Sequence, residues 1–266
     1  MSAARTGEAQ RTGEALHDDE LSLTLAGGAR VLFCSRADGN LSTQRGVDAE
    51  RGRARRDELC KRLGLDWLCA SRQVHGSDVH VIRTRALSGG EPAALDADGH
   101  ATALRGVGAM VLTADCLPVA LAGDGQARAV AMLHAGWRGL AAGVLERGVQ
   151  ALRELRADGA IEAAIGPGAG TCCYEVGAEV HAAFDAGAHR LDGDGPGAAH
   201  GPGERADDET RRGAIDLRAI ARERLLAAGV ARVHDVRACT ICDERFFSHR
   251  RERERAGRQA GVAWLS

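Results

Sequence analysis

Three short segments place a potential metal ligand at the end of an apolar run. They are QVHG at residues 73–76, TADCLP at 113–118 and HAGWRG at 134–139. Their ligand-type residues are His75, Cys116 and His134. Strand ends are positions where a rigid scaffold presents side chains to a site. Two imidazoles and one thiolate form a common zinc ligand set, and three protein ligands leave a fourth position open for catalysis. The segments therefore predict a mononuclear catalytic zinc centre.

The same three residues also suit other kinds of site. A single histidine is usually a hydrogen-bonded structural residue, and a single cysteine usually fills the core. No short-range ligand motif such as HExxH joins the three residues. Two histidines and a cysteine also bind copper in blue-copper proteins, so copper is an alternative metal. Cys116 paired with His134 or His75 would instead supply the nucleophile of an amide hydrolase or deamidase.

The other cysteines include the CxxC motif CTIC at residues 239–242 and the vicinal pair Cys172–Cys173. A CxxC motif is typical of a redox pair or of half a zinc site. Because no second CxxC lies at zinc-ribbon spacing, the sequence favours buried thiols near a strand end. We expect the vicinal pair to be packed, with Cys173 lining the site. A fourth ligand from Cys172, Cys173 or Cys239 would instead close the triad and make its metal structural.

Length, charge and apolar patterning limit the classes of protein to consider. A chain of 266 residues can form one large core, and a formal net charge of −2 gives no sign of a nucleic-acid or membrane surface. No apolar run approaches the ~18 residues of a membrane span. Residues 1–20 lack the apolar region of a secretory signal and are expected to be a disordered leader. We therefore expect a cytoplasmic protein with reduced cysteines.

Hydrophobic periodicity predicts a mixed α+β fold in a single domain over residues 21–266. Strands are predicted at 29–35, 67–72, 78–84, 109–113, 117–122, 127–135, 160–165, 232–237 and 260–265. Helices are predicted at 48–63, 139–156, 177–187 and 214–228. The pair Asp124-Gly125 indicates a hairpin between two of these strands. Glycines and prolines among charges predict a mobile surface loop at about 187–213.

The chain resembles the laccase-domain family, once named multicopper polyphenol oxidases and now associated with purine nucleoside phosphorylase activity. The motifs that carry the resemblance are collinear and extend from about residue 70 to 264. They are QVHG at 73–76, TADCLPV at 113–119, HAGWRG at 134–139, IGPGAGTCCYEVG at 165–177, and CT followed by FFSHRRE within 239–252. The resemblance implies a single α/β domain of mixed sheets and helices, similar to a cysteine-hydrolase-like fold.

The resemblance also implies a function and a set of site residues. The metal, zinc with copper as an alternative, would be held by His75, Cys116 and His134. The reaction would be phosphorolysis of adenosine, inosine, guanosine and methylthioadenosine, with adenosine deamination as a second activity. The partners would thus be a purine nucleoside and phosphate, without nucleic acid or membrane.

Further residues have predicted roles in this site, although a structural contact is an alternative for each. Arg36 and Arg138 are the candidates for binding phosphate or ribose, and Asp115 is the candidate general acid and base. Gln73 and Cys173 are expected to contact substrate. Copper oxidation of phenols is less favoured, because a laccase needs paired His-x-His ligands and none of the ten histidines lies two residues from another.

Overall fold

Two mixed β-sheets form the centre of the molecule. We describe a computed structural model of the chain over residues 21–84, 95–185 and 213–266. The leader expected at 1–20 lies outside these residues, as does the loop expected at about 187–213 apart from Gly213. No helix in the described segments is both long enough and apolar enough to cross a membrane.

The first sheet has five strands in the order β1-β2-β13-β6-β3. Its strands are β1 (Leu21–Leu25), β2 (Ala29–Phe33), β3 (Trp67–Cys69), β6 (Val107–Thr113) and β13 (Gln259–Leu265). The last strand of the chain, β13, is antiparallel to both β2 and β6. The carboxyl-terminal segment therefore occupies the middle of this sheet and ties it to residues far away in sequence.

The second sheet has six strands in the order β12-β9-β7-β8-β5-β4. Its strands are β4 (Val79–Ile82), β5 (Gly99–Thr102), β7 (Leu117–Gly123), β8 (Ala129–Ala135), β9 (Ile161–Ile165) and β12 (Arg232–Asp235). The central pair β7 and β8 is the predicted hairpin, and it is antiparallel. Each strand of this pair is buried along its whole length, as its apolar sequence requires.

Helices cover the outer faces of the two sheets. They are α1 (Gly52–Arg62), α2 (Trp137–Ala141), α3 (Val144–Glu154), α4 (Ala178–Asp185), α5 (Leu217–Ala227) and α6 (His249–Glu252). The remaining described elements are two short paired strands, β10 (Glu175–Val176) and β11 (Gly213–Ala214). There are also 3₁₀ turns at Ala26–Gly28, Arg36–Asp38, Ala49–Arg51 and Arg253–Arg255. Helix α3 packs its apolar face on the second sheet, and Leu59 of α1 packs on the first.

The two sheets pack face to face through small side chains. Ala120 and Ala164 of the second sheet meet Ala109 and Ala263 of the first in one buried cluster. At Gly261 the sheets approach so closely that a Cβ atom would lie 2.9 Å from Met132 Sδ. Because few aromatic side chains separate the two sheets, the sheets can approach closely and still leave the core well packed.

The prediction of one continuous helix over 139–156 is wrong. The segment forms α2 and α3, which are separated at Gly143, a residue with a φ of 88°. This left-handed conformation is readily adopted by glycine and ends the first helix. The sequence patterns also missed β1 and β5. Strand β5 has the sequence GHAT, whose buried polar residues conceal the strand pattern.

A candidate metal centre

The predicted ligands His75, Cys116 and His134 converge on one point. Their ligand atoms all lie within 4.8 Å of one another. His134 lies near the end of β8, and Cys116 immediately precedes β7, so the central hairpin places both residues at one end of the second sheet. His75 lies in the loop between β3 and β4. The backbone at His75 has a φ of 62°, an uncommon conformation outside glycine that occurs often at functional sites.

A buried aspartate that the sequence patterns missed, Asp98, holds the loop of His75. Its carboxylate accepts hydrogen bonds from the backbone N–H groups of Val74, His75 and Gly76, at 3.1, 2.9 and 2.7 Å. The side chain of Asp98 has no exposed surface. Burial raises the pKa of this carboxyl, but the ring of His134 and these N–H groups lower it below its ordinary value.

Asp98 also orients the second histidine. Its Oδ1 lies 2.7 Å from Nδ1 of His134, and because a carboxylate accepts, Nδ1 carries the proton. The other ring nitrogen, Nε2, is then left for a metal, which is the usual carboxylate–histidine–metal arrangement. One buried carboxylate therefore fixes both imidazoles, since it bonds the backbone of His75 and the ring of His134.

The electrostatics of the triad favour a thiolate at Cys116. Burial raises the pKa of this thiol, but the charge of His134 and hydrogen bonds from His134 and His75 lower it to about 6. For His134 burial acts in the opposite direction and lowers the pKa of the imidazole. The nearby Cys116 and Asp98 outweigh it and raise this pKa above its ordinary value. A thiolate beside two imidazoles is the donor set that zinc binds, so the three residues suit a zinc ion.

Glycine at position 136 is required by the closeness of the ligands. A Cβ atom there would lie 2.9 Å from Cys116 Sγ and 3.2 Å from His75 Cδ2. By contrast, a Cβ atom at Gly76 would meet only ordinary contacts, the nearest at 3.5 Å from Asp98 Oδ2. The HAGWRG motif therefore supplies both a ligand, His134, and the space beside it.

Asp115 connects the triad to the carboxyl-terminal segment. Its carboxylate accepts one hydrogen bond from the hydroxyl of Thr240 and one from the backbone N–H of Arg250, each at 2.7 Å. Its backbone carbonyl accepts from the N–H of Ala169 at 2.7 Å. The residue before Cys116 is thus held on both sides, and its φ is 92°. These contacts fix the backbone immediately before Cys116.

The other predicted substrate residues have structural contacts of different kinds. The Gln73 amide bonds both the carbonyl and the N–H of Leu112, at 2.7 and 2.8 Å. Arg36 forms an ion pair with Glu252 and lies over the ring of Phe247. The guanidinium carbon of Arg138 lies 4.1 Å from the ring centroid of Trp137, and the residue is exposed. Arg138 is therefore more accessible to an anion than Arg36 is.

The expectation of buried thiols at the CxxC motif is wrong. Cys242 is exposed and Cys239 is only partly buried. Cys172 and Cys173 lie against them, with Cys173 Sγ 2.9 Å from Cys242 Sγ. A second group, apart from the triad, is therefore formed by Cys172, Cys173, Cys239 and Cys242. Among the described residues, the triad has three ligands of these types and no fourth.

A polar cavity of about 270 Å³ is lined by residues from two distant segments. They are Gln44, Arg45, Gly46, Arg253, Glu254 and Arg258. Burial lowers the pKa of the Arg258 guanidinium and so does the nearby charge of Arg45, whereas Cys116 and Asp115 raise it. Glu254, which also lines the cavity, raises this pKa too, so the cavity carries charges of both signs.

The chain is similar to a protein family and to several solved structures. The family model described as multi-copper polyphenol oxidoreductase laccase matches residues 26–266. The crystal structure of the protein NMB0706 from Neisseria meningitidis is 31% identical, with a TM-score of 0.75, and the match covers 94% of this chain and all of that one. The match to the family begins well before the first motif that carries the resemblance in the sequence.

Two curated relatives carry the name of an enzyme. A protein of Xylella fastidiosa named purine nucleoside phosphorylase is 42% identical over 260 residues, which are 91% of this chain and 90% of the relative. A protein of Pseudomonas aeruginosa with the same enzyme name is 39% identical over 223 residues, 83% of this chain and 81% of the relative.

Proposed function

Because the chain belongs to the laccase-domain family, described as multi-copper polyphenol oxidoreductase laccase, and relatives in it are named purine nucleoside phosphorylases, we propose that it is a zinc-dependent purine nucleoside phosphorylase. The observation that carries the proposal is the convergence of His75, Cys116 and His134. The proposed substrates are phosphate and a purine nucleoside: adenosine, inosine, guanosine or methylthioadenosine. Adenosine deamination is proposed as a second activity.

The proposed zinc ion is held by His75, Cys116 and His134, with Asp98 fixing the ring of His134. Zinc bound there supplies Lewis-acid polarisation of the reacting group. Copper is less suited to this site in its blue-copper form, which adds a weak axial methionine. The described methionines, Met110 and Met132, are fully buried in the packing of the sheets.

In phosphorolysis an oxygen of phosphate forms a bond to C1′ of the ribose while the bond from C1′ to the purine nitrogen breaks. The electron pair of the broken bond leaves with the purine, which then takes up a proton. The protein must therefore hold phosphate with cations and stabilise the charge that develops on the base. Arg138 is exposed in the HAGWRG motif that carries His134. The cavity lined by Arg45 and Arg258 is a second surface with cationic groups, and Arg258 is within electrostatic range of Cys116 and Asp115.

We propose Arg45 and Arg258 as phosphate ligands, with Arg138 as a candidate for the ribose or phosphate. Arg36 is a weaker candidate than the sequence indicates, because its guanidinium already bonds Glu252 and the carbonyls of Glu244 and Phe246. The contacts of Asp115 support positioning of Cys116 more directly than proton transfer. Gln73 similarly supports the loop of His75 through its bonds to β6.

One observation favours an alternative function. The side chains of Cys116, His134 and Asp98 form a thiol–imidazole–carboxylate series, in which His134 bonds Cys116 on one side and Asp98, at 2.7 Å, on the other. This series is the arrangement of a cysteine nucleophile with its base and orienting carboxylate. The alternative is a Cys–His amide hydrolase or deamidase that uses Cys116 as the nucleophile.

Product analysis with and without phosphate tests the proposed function. Purified protein is incubated with adenosine or with inosine, and the products are separated by chromatography. We expect the free base and ribose 1-phosphate to form only when phosphate is present. Formation of inosine from adenosine would demonstrate the second activity, deamination. Absence of phosphate-dependent base release from both adenosine and inosine would contradict the proposal.

A further inference from the structure

Four cysteine sulfurs meet in a second cluster. Cys172 and Cys173 come from the loop that follows β9, and Cys239 and Cys242 come from the turn that follows β12. All four sulfurs lie within 4.8 Å of one another. Cys242 Sγ is 3.3 Å from Cys172 Sγ and 2.9 Å from Cys173 Sγ. Two segments nearly seventy residues apart therefore bring their thiols to one point.

Four sulfurs that lie within 4.8 Å of one another can share one metal ion after small adjustments, since two of the pairs are closer than metal-bound sulfurs. Zinc–sulfur bonds of about 2.3 Å in a tetrahedron place each pair of sulfurs about 3.8 Å apart. Sulfurs of four unlinked thiols gain little by such an approach, because an S–H group is only a weak hydrogen-bond donor. The cluster is thus more compact than the packing of free thiols requires.

The backbone around the cluster is arranged for a thiolate. The N–H of Gly170 donates to Cys239 Sγ at 3.2 Å, and the N–H groups of Ile241 and Cys242 also bond this sulfur. Hydrogen bonds from the backbone stabilise the negative charge that a metal-bound sulfur carries. A Cβ atom at Gly170 would lie 3.2 Å from Cys239 Cβ, so a side chain there would crowd the cluster.

An arginine holds the turn that carries two of the four cysteines. Arg251 donates from Nη1 to the carbonyls of Thr240 and Ile241, at 2.8 and 2.9 Å, inside the turn that carries Cys239 and Cys242. The cationic guanidinium is therefore fixed against the same turn. Its Nη2 is ion-paired with Glu252 at 2.8 Å, so Arg251 contributes to the cluster by fixing the turn and not as an unpaired charge.

We propose that Cys172, Cys173, Cys239 and Cys242 bind a second zinc ion in a closed, structural site. With four protein ligands, this site leaves no position for substrate. Its role follows from what it joins. The turn of Cys239 contains Thr240, which bonds the carboxylate of Asp115, the neighbour of Cys116. The second ion thus fastens the carboxyl-terminal segment to the triad without taking part in the reaction.

Metal content per chain tests this inference. Zinc is measured by mass spectrometry of the intact purified chain and of variants. We expect two zinc ions in the unchanged protein and in Cys60→Ser, the control, because Cys60 lies apart from both groups. We expect one in the double variant Cys239→Ser/Cys242→Ser and one in Cys116→Ala. Equal zinc content in the unchanged protein and the double variant would overturn the inference, whether or not the chain has phosphorylase activity.

A second measurement needs no variant and so covers variants that fail to fold. In the cadmium-substituted protein, ¹¹³Cd magnetic resonance distinguishes an ion bound by four thiolates from one bound by two imidazoles and a thiolate. We expect two resonances, one of them in the all-thiolate region. Three results would contradict the proposed site. They are a missing all-thiolate resonance, a disulfide among the four cysteines, and iron with acid-labile sulfide in place of zinc.

Discussion

At the scale of the residue, one buried carboxylate contacts both the loop of His75 and the ring of His134. Asp98 bonds the backbone at residues 74–76 and the ring of His134. Loss of such a supporting carboxylate typically lowers metal affinity or activity by about 10- to 100-fold. Asp98 therefore offers a direct test of how the ligands are held.

We expect Asp98→Asn to weaken zinc binding at the triad by about 10- to 100-fold and to lower turnover to match. The amide retains one acceptor oxygen, but it no longer attracts the proton on Nδ1 of His134. Zinc affinity is measured by competition with a chromophoric chelator. The control is Asp96→Asn, which changes an exposed carboxylate paired with Arg72. Equal affinity in Asp98→Asn and Asp96→Asn would show that Asp98 does not support the ligand.

We expect Gly136→Ala to lose zinc from the triad, because the added Cβ atom would lie 2.9 Å from Cys116 Sγ. The matched control is Gly76→Ala, whose Cβ atom would meet nothing closer than 3.5 Å. Zinc content and turnover are measured for both variants. Full zinc content in Gly136→Ala, or an equal loss in both variants, would contradict the packing described around Cys116.

At the scale of the element, a side chain in the loop of His75 makes the hydrogen bonds to the first sheet that a neighbouring strand would otherwise make. The amide of Gln73 bonds the N–H and the carbonyl of Leu112 in β6, as a neighbouring strand would. The loop also bonds Asp98, the residue immediately before β5 of the second sheet. The position of His75 therefore depends on both sheets.

We expect Gln73→Leu to lower the free energy of unfolding by about 1 to 3 kcal/mol, because it leaves two backbone groups of Leu112 without their partner. Urea denaturation followed by circular dichroism measures the change. Gln150→Leu is the control, since Gln150 is an exposed residue of α3. A stability loss no larger than that of the control would show that the Gln73 amide does not fasten the loop.

The elements show which features a sequence can specify. The three ligands could be predicted because each lies in a local motif, and most strands could be predicted from apolar runs. Asp98 could not be predicted, because its function arises from contacts with residues 22 and 36 positions away. The four cysteines were recognised as two pairs, but their meeting depends on how β9 and β12 lie side by side. The break at Gly143 similarly depends on a backbone angle.

At the scale of the whole molecule, the site combines segments from nearly the full length of the described chain. The polar cavity joins the loop of Arg45 to the segment of Arg258, which leads into the central strand β13. Two adjacent arginines repel each other, and a bound dianion relieves this repulsion. The fold thus brings Arg45 and Arg258, which are far apart in the sequence, to the same cavity.

We expect Arg45→Gln to raise the KM for phosphate by about 10- to 100-fold, the effect of losing one charge-assisted hydrogen bond. The KM for the nucleoside should change little. Steady-state kinetics with each substrate varied in turn measures both values. Arg147→Gln, a charge change at an exposed position of α3, is the control. An unchanged KM for phosphate in Arg45→Gln would exclude the cavity as the phosphate site.

Removal and return of the metal test whether turnover depends on zinc bound by His75, Cys116 and His134. The protein is depleted of zinc with a chelator, and phosphate-dependent base release is measured before depletion, after depletion and after zinc is added back. We expect loss of turnover on depletion, recovery with zinc, and no recovery in Cys116→Ala. Full turnover by metal-free protein, abolished by alkylation of Cys116, would contradict the metal centre and favour a cysteine nucleophile.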